Sequence, residues 1–249
     1  MFKGFYNLTS GMLTQERHLN IVGNNLVNIS TAGFKEQRYT ATTFDDVMYS
    51  RVGNKKKDYE DIGRQSYKRA TSEIVTTFDQ GVPEPTDLPF DFAIMGEGFF
   101  AVQVEDGTVY TRAGSFSLDN EGYLCYPGLG RVLSGEGQAI QVGTDNINVD
   151  ERGDILNAQT GETLGRLGVF AFEDNALLTR DDQGMFTGEG AQAVEQPQIL
   201  WKYLERSNAD MVRQMTELLT CQRALQSAAQ VSRMYSEVME KAANNIGQM

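Results

Sequence analysis

The sequence has no run of about 18 consecutive apolar residues, the length a membrane-spanning helix needs. The opening residues Met1-Phe2-Lys3-Gly4-Phe5-Tyr6 lack the apolar core of about 7–15 residues and the small-residue cleavage site of an ordinary secretory signal, so none is expected. Basic residues are outnumbered, 22 Lys and Arg against 34 Asp and Glu, for a net charge of −12. Residues 1–35 carry +2 and residues 205–249 balance, leaving −14 on the middle of the chain. An acidic middle argues against binding a phosphate backbone, which takes clustered Lys and Arg. The one basic run, Lys55-Lys56-Lys57, is followed by Asp58, Glu60 and Asp61 and reads as a solvated loop.

Chemistry-bearing residues are also scarce. His18 is the only histidine, and no nucleophile or metal-ligand motif surrounds it, so packing or surface polarity is its expected role. Cys125 and Cys221 lack metal-ligand spacing and read as two unlinked small residues. Gly96-Glu97-Gly98 and Gly128-Leu129-Gly130 do not complete a dinucleotide-binding loop ahead of a helix and read as strand turns. The acidic turns do not match a calcium loop. No catalytic residue, cofactor site or metal site is expected.

What is present is periodicity at both ends. Phe5, Leu8, Met12, Gln15, Leu19, Val22 and Leu26 step by three and four, the spacing of a coiled-coil seam. Gly4, Gly11 and Gly23 lie in the same segment and each costs roughly 1 kcal/mol relative to Ala in a helix interior. The expected helix is therefore marginal alone and stable once packed. Asn24-Asn25-Leu26-Val27-Asn28 and Thr31-Ala32-Gly33-Phe34-Lys35 should stop it and direct the chain onward. From Ser207 the period is helical again, with Ser207 and Asp210 arranged like a capping box. Met211, Met215, Leu218, Gln222, Leu225, Ala229, Ser232, Ser236, Met239 and Ala243 form the second seam, and Val231, Tyr235, Val238, Ala242 and Ile246 a neighbouring row. Roughly 40 residues make a helix of about 60 Å, too long to serve a small domain alone. Gln15 and Gln222 interrupt the two seams, either as ordinary polar positions or as register-setting ones, since a polar residue in a seam penalises misaligned pairings.

Between the helices, residues 36–75 show aromatic and charged residues without a sustained period and read as an extended connector, or as strands added to a neighbour. From about 76 to 204, short apolar runs alternate with turns such as Asp106-Gly107, Asn120-Glu121-Gly122, Glu151-Arg152-Gly153 and Asp181-Asp182-Gln183-Gly184. Leu164 to Phe172 reads as one apolar stretch. The expected architecture is α+β: discontinuous N- and C-terminal helices, residues 1–35 with 205–249, form a coiled-coil unit around a central, mainly antiparallel β domain, residues 76–204, with 36–75 as connector.

Four blocks, in order, carry a family resemblance. Asn24-Asn25-Leu26-Val27-Asn28 with Thr31-Ala32-Gly33-Phe34-Lys35 is similar to the signature of bacterial flagellar rod and hook proteins. Ala93 to Val102, Tyr110 to Leu118 with Gly122-Tyr123-Leu124, and Ser207-Asn208-Ala209-Asp210 with Met215 to Leu218 and Gln222-Arg223-Ala224 resemble three further blocks of that family. Chain length and the size of the central domain resemble a rod protein; Thr43 to Tyr49 is similar to distal rod proteins, Arg180 to Phe186 to proximal ones, and Ala209 stands where the family often has valine. The resemblance implies a non-enzymatic structural subunit of the flagellar basal-body rod. It also implies export through the flagellar type III apparatus without a cleaved signal. Partners would be copies of the chain and other rod and hook proteins, with no nucleic acid or small-molecule substrate. The assembly interface expected is Leu8, Met12, Leu19, Val22, Asn24, Asn25, Leu26, Asn28, Gly33, Phe34, Met211, Met215, Leu218, Gln222 and Leu225. Two other classes compete with this reading, a secreted β-rich carbohydrate-active enzyme using a carboxylate pair and a coiled-coil adhesin.

Overall fold

The computed structural model describes residues 2–43, 47–52, 59–65, 69–105, 107–181 and 184–247. It is α+β, and the chain divides into two compact units. The first comprises Met1–Val27, Gln37–Val75 and Asp210–Met249; the second comprises Asn28–Glu36 and Thr76–Ala209. The Lys55–Lys57 tract and Phe44–Asp46 lie outside the described residues.

In the first unit, α1 (Phe2–Val27) packs against α2 (Met211–Gly247). The segment read as a connector supplies four strands, β1 (Gln37–Thr43), β2 (Val47–Val52), β3 (Tyr59–Gln65) and β4 (Arg69–Thr76), paired as β1 with β4 and β2 with β3. The start of α2 departs from the expected capping box. Asp210 is itself the cap, its Oδ1 accepting from Val212 N at 2.8 Å and Arg213 N at 3.1 Å, while Ser207 Oγ accepts from Ala209 N at 3.2 Å. Asp at this position satisfies amides that have no partner inside the helix.

The second unit holds the β domain. Its strands are β5 (Pro83–Pro85), β6 (Phe92–Met95), β7 (Phe99–Val104), β8 (Gly107–Thr111), β9 (Ser117–Leu118), β10 (Leu124–Tyr126), β11 (Gly130–Val132) and β12 (Ile147–Val149). They continue with β13 (Asp154–Asn157), β14 (Thr163–Arg166), β15 (Val169–Ala171), β16 (Thr179–Arg180), β17 (Phe186–Thr187), β18 (Gln192–Ala193), β19 (Gln198–Trp201) and β20 (Tyr203–Glu205). The main sheet runs β16-β17-β8-β7-β11-β10-β9, with β15 bonded to both β7 and β18. A second sheet is β12-β13-β14, and two pairs, β19-β6 and β20-β5, complete the unit. Every pairing with a described register is antiparallel, as the turn-separated short runs predict.

The expected turns are seen at Gly122 and Gly153, whose φ angles are +82° and +81°. The stretch from Leu164 to Phe172 is instead two strands in different sheets. It breaks at Leu167-Gly168, where a side chain on Gly168 would strike the backbone of Leu133 and Ser134. The core joins Phe92, Phe100, Phe116, Leu124, Ile155 and Leu167, with a second cluster of Phe99, Tyr110 and Phe186 on the other face of β7. Alternation along β7 explains the division, because successive side chains point to opposite faces.

Candidate functional site

The terminal helices run antiparallel. His18 Nδ1 lies 3.3 Å from Cys221 Sγ, and Asn25 Nδ2 donates to Gln214 Oε1 at 3.3 Å, so a seven-residue advance along α1 matches a seven-residue retreat along α2. By the same register α2 runs about ten residues past the start of α1, roughly 15 Å. The seam is more polar than the sequence suggests. Thr14, Ile21, Val22 and Asn25 of α1 and Gln214 and Cys221 of α2 are buried in it. Its polar groups are satisfied: Thr14 Oγ1 donates to Ser10 O at 2.8 Å. Asn25 also takes the amide of Gln37 and donates to its carbonyl, at 3.0 and 2.8 Å, as a neighbouring strand would. His18 stacks on Tyr39 with ring centres 5.3 Å apart and points Nε2 at Glu217 from 3.8 Å. Burial, and then the Glu217 carboxylate, push the Cys221 thiol up from its ordinary value.

The apolar rows that stand out in the sequence are offset by one residue from this seam. Leu8, Met12, Leu19 and Leu26 are half-buried, whereas Val22 is buried. On α2, Leu218 and Leu225 are half-buried; Met211, Met215 and Gln222 are exposed, Met211 by 50% and Met215 by 44%. In an antiparallel pair, an offset in the same sequence direction on both helices brings both rows to the same side. One side of the pair is therefore apolar where the first turns of α2 lie beside the second half of α1, widened by exposed Val212 and Leu219, and it turns polar from Gln15 and Gln222 onward, with exposed Arg223 and Gln226 following on α2. The opposite side carries Ser10, Arg17, Arg213, Glu217 and Thr220 near the paired region, and apolar Val231, Met234 and Val238 toward the end of α2.

The second unit contains the chain just after α1 and just before α2, and ties the two together. Gly33 N donates to Glu205 O at 2.7 Å, and Glu36 N to Asn208 Oδ1 at 2.7 Å. Asn208 Nδ2 reaches the carbonyls of Thr77 and Asp79. Beneath these bonds Lys35 Nζ donates to Glu205 Oε1 at 2.6 Å and to Asp79 O at 2.8 Å. Gly81 N donates to Glu205 Oε1 at 2.8 Å, and Arg112 Nη1 to Oε2 at 3.3 Å. The side chains of Lys35, Glu205 and Arg112 are 0%, 1% and 4% exposed. Burial pulls the Lys35 ammonium down from its ordinary value, against the attraction of Glu205. Gly33 has φ +70°, and a Cβ there would sit 2.2 Å from Ala113 N. Phe34 is buried, with the Arg180 guanidinium 4.3 Å over its ring.

Of the residues expected at the site, the structure joins Asn25 to α2, places Gly33 and Phe34 in the root of the β unit, and leaves Asn28 half-buried beside Thr31, whose amide bonds its carbonyl. Asn24 is exposed. The expected interface left out Gln214, Lys35, Glu205, Arg112 and Asn208, although Lys35, Arg112 and Asn208 lie within the blocks that carry the family resemblance. A charged residue carries no mark of burial in a sequence, and Gln214 lies off the apolar stripe. Among the described residues, no cluster of three or more His, Cys, Asp or Glu could hold a metal, and no helix is long and apolar enough to cross a membrane.

Residues 5–35 match the family model described as flagella basal body rod protein, residues 93–157 that of the flagellar hook protein FlgE/F/G D1 domain, and residues 202–246 that of the flagellar basal body rod FlgEFG protein C-terminal. The flagellar basal-body rod protein FlgG of Buchnera aphidicola is 31% identical over 242 residues, covering 86% of this chain and 88% of the relative. FlgG of Bacillus subtilis is 29% identical over 98% of this chain and 99% of its own, and the rod protein FlgF of Mesorhizobium japonicum 28% identical over 99% of each.

Proposed function

The chain belongs to the flagellar basal-body rod family, and from that premise we propose that it polymerises through the apolar side of its terminal helix pair. It is a structural subunit of the rod, part of the basal body of the flagellum that drives motility. Its partners in this reading are copies of itself and other rod and hook proteins. The single observation that carries the proposal is the offset between seam and stripe. α1 and α2 pair through a seam in which Thr14, Asn25 and Gln214 share the buried positions with Ile21, Val22 and Cys221, and they turn half-buried Met12, Leu19 and Leu26 and exposed Met211 and Met215 to one side. An apolar strip of that kind is stabilised by covering it, at about 25 cal/mol per Å² removed from water.

In this reading residues 1–35 with 205–249 are the assembly domain, 36–75 a connector and 76–204 the carried β domain. The compact units described above group 28–36 and 205–209 with the β strands instead. Passage through the flagellar type III export apparatus, without a cleaved signal, belongs to the same proposal. Gly4, Gly11 and Gly23 support it, since a Cβ at each would meet nothing within 4 Å: they are not required by packing, and they make α1 easy to unfold. The family is a structural one, and the comparisons give no support to a carbohydrate-active enzyme or an adhesin.

Complementation of a strain deleted for this gene tests the proposal. The double variant Leu19→Asp, Met215→Asp is expected to abolish swimming and leave basal bodies without a complete rod. Thr220→Asp, on the other side of the pair, is expected to swim. Normal rods in the double variant would overturn the reading.

A further inference from the structure

We infer that Glu205 is a positioning residue that holds the roots of the two terminal helices side by side whether or not the helices themselves are folded. Lys35 and Glu205 are 170 residues apart in sequence. Their contact nevertheless lies inside the β-bearing unit, as do all the other bonds of the root. None of these bonds uses a residue of α1 or α2. The backbone of Glu205 accepts Gly33 N, and its two carboxylate oxygens take Lys35, Gly81 and Arg112. One residue thus gathers the segment leaving α1, the segment entering α2 and two strands' approaches. Asn208 adds a second tie by accepting Glu36 N and donating to Thr77 O and Asp79 O.

An apolar cluster would hold these segments with tolerance for sliding. A carboxylate shared by two buried cations does not, because each charge needs its partner at hydrogen-bond distance. Gly33 reinforces this: its φ of +70° and its approach to Ala113 admit one backbone path. The consequence bears on how the helices form. α1 carries three glycines that packing does not require, so it unfolds readily, and a chain with open helices would ordinarily lose the closeness of its two ends. With the root held by the β unit, that closure is already made. The two helical segments start from adjacent points and need only wind and pair.

Amide hydrogen exchange on the full chain tests this, read by mass spectrometry over segments 2–27, 28–36, 79–82, 99–104 and 205–209. Ala224→Pro breaks α2 in mid-helix. The expected result is fast exchange in 2–27, with 28–36, 79–82 and 205–209 protected as in the parent chain. Loss of root protection together with the helices would overturn the inference. Glu205→Gln is expected to raise exchange at 28–36 and 79–82 about tenfold while 99–104 stays protected. Retained root protection in Glu205→Gln would also overturn it. Should Glu205→Gln unfold the whole β unit, Asn208→Ala decides: faster exchange confined to 28–36 and 205–209 supports the inference, and no change contradicts it. The measurement is made on the monomer, so its outcome is separate from whether the apolar side of the helix pair polymerises.

Discussion

Lys35 Nζ and Glu205 Oε1 lie 2.6 Å apart with both side chains shut off from solvent, and Arg112 approaches the other oxygen of the same carboxylate. Two buried cations thus share one buried carboxylate as the anion they bond directly. Removing the anion strands both, and breaking a buried pair of this kind costs about 3–5 kcal/mol. Glu205→Ala is expected to lower the urea midpoint of the β unit accordingly. A midpoint within error of the parent would show that the triad does not act as described.

The same triad gives a pH dependence with a definite sign. Burial lowers the Lys35 amine below its ordinary 10.5, so between the folded value and 10.5 the unfolded chain binds more protons than the folded one. Stability from this group therefore rises with pH across that window. The cost of burying the charge is present in full below it and relieved above it. Tyr110 and Tyr126 are pushed up by burial and act in the opposite sense at high pH. The difference between parent and Lys35→Met cancels them. Urea titrations from pH 7 to 10.5 should show the parent gaining on the variant as pH rises.

Gly33 should not tolerate a side chain. A Cβ would fall 2.2 Å from Ala113 N and 2.4 Å from Arg112 C, at a φ that L residues rarely adopt. Gly33→Ala is expected to destabilise by at least about 1–3 kcal/mol from backbone strain alone. Thermal unfolding followed by near-ultraviolet circular dichroism of the β unit checks it.

Gly11 is the contrasting case. A Cβ there meets nothing within 4 Å, so Gly11→Ala adds helix propensity of up to about 1 kcal/mol without a collision. Far-ultraviolet circular dichroism should report more helix and a later loss of it on heating. Reduced helicity would mean that a side chain at position 11 collides within the chain itself, against the open space found there.

Cys221 reports on the helix pair. Its thiol is buried and pushed up, whereas Cys125 is half-buried beside Ser117. At pH 8 a thiol reagent is expected to modify Cys125 at least about tenfold faster than Cys221, because the thiolate is the reactive form. Ala224→Pro should remove the difference. Equal rates in the parent chain would mean that the helices are open.

Much of the architecture is legible from residue order alone. The three-and-four spacing of Leu8, Met12, Leu19 and Leu26 and of Met211, Leu218 and Leu225 marks two helices, and turn glycines such as Gly122 and Gly153 mark the antiparallel strands. Local geometry decides these features, and local geometry is written in neighbouring residues. Which side of each helix meets the other is not written there. Thr14, Asn25 and Gln214 can be buried there because their hydrogen bonds are met, by Ser10 in the same helix, by Gln37 of β1 and by each other, and a burial scale cannot anticipate partners 12 or 189 positions away. The break of Leu164–Phe172 at Gly168 likewise depends on the backbone of Ser134 lying against it. Lys35, Arg112 and Glu205 look like surface charges in sequence. Only the fold, by bringing one carboxylate to two cations, removes all three from water. The sequence by itself determined the two helices, the antiparallel character of the middle and the family; the tertiary structure decided the strands of 37–76, which apolar side is left open and which charges gather at the helix roots, because these depend on pairings between distant residues.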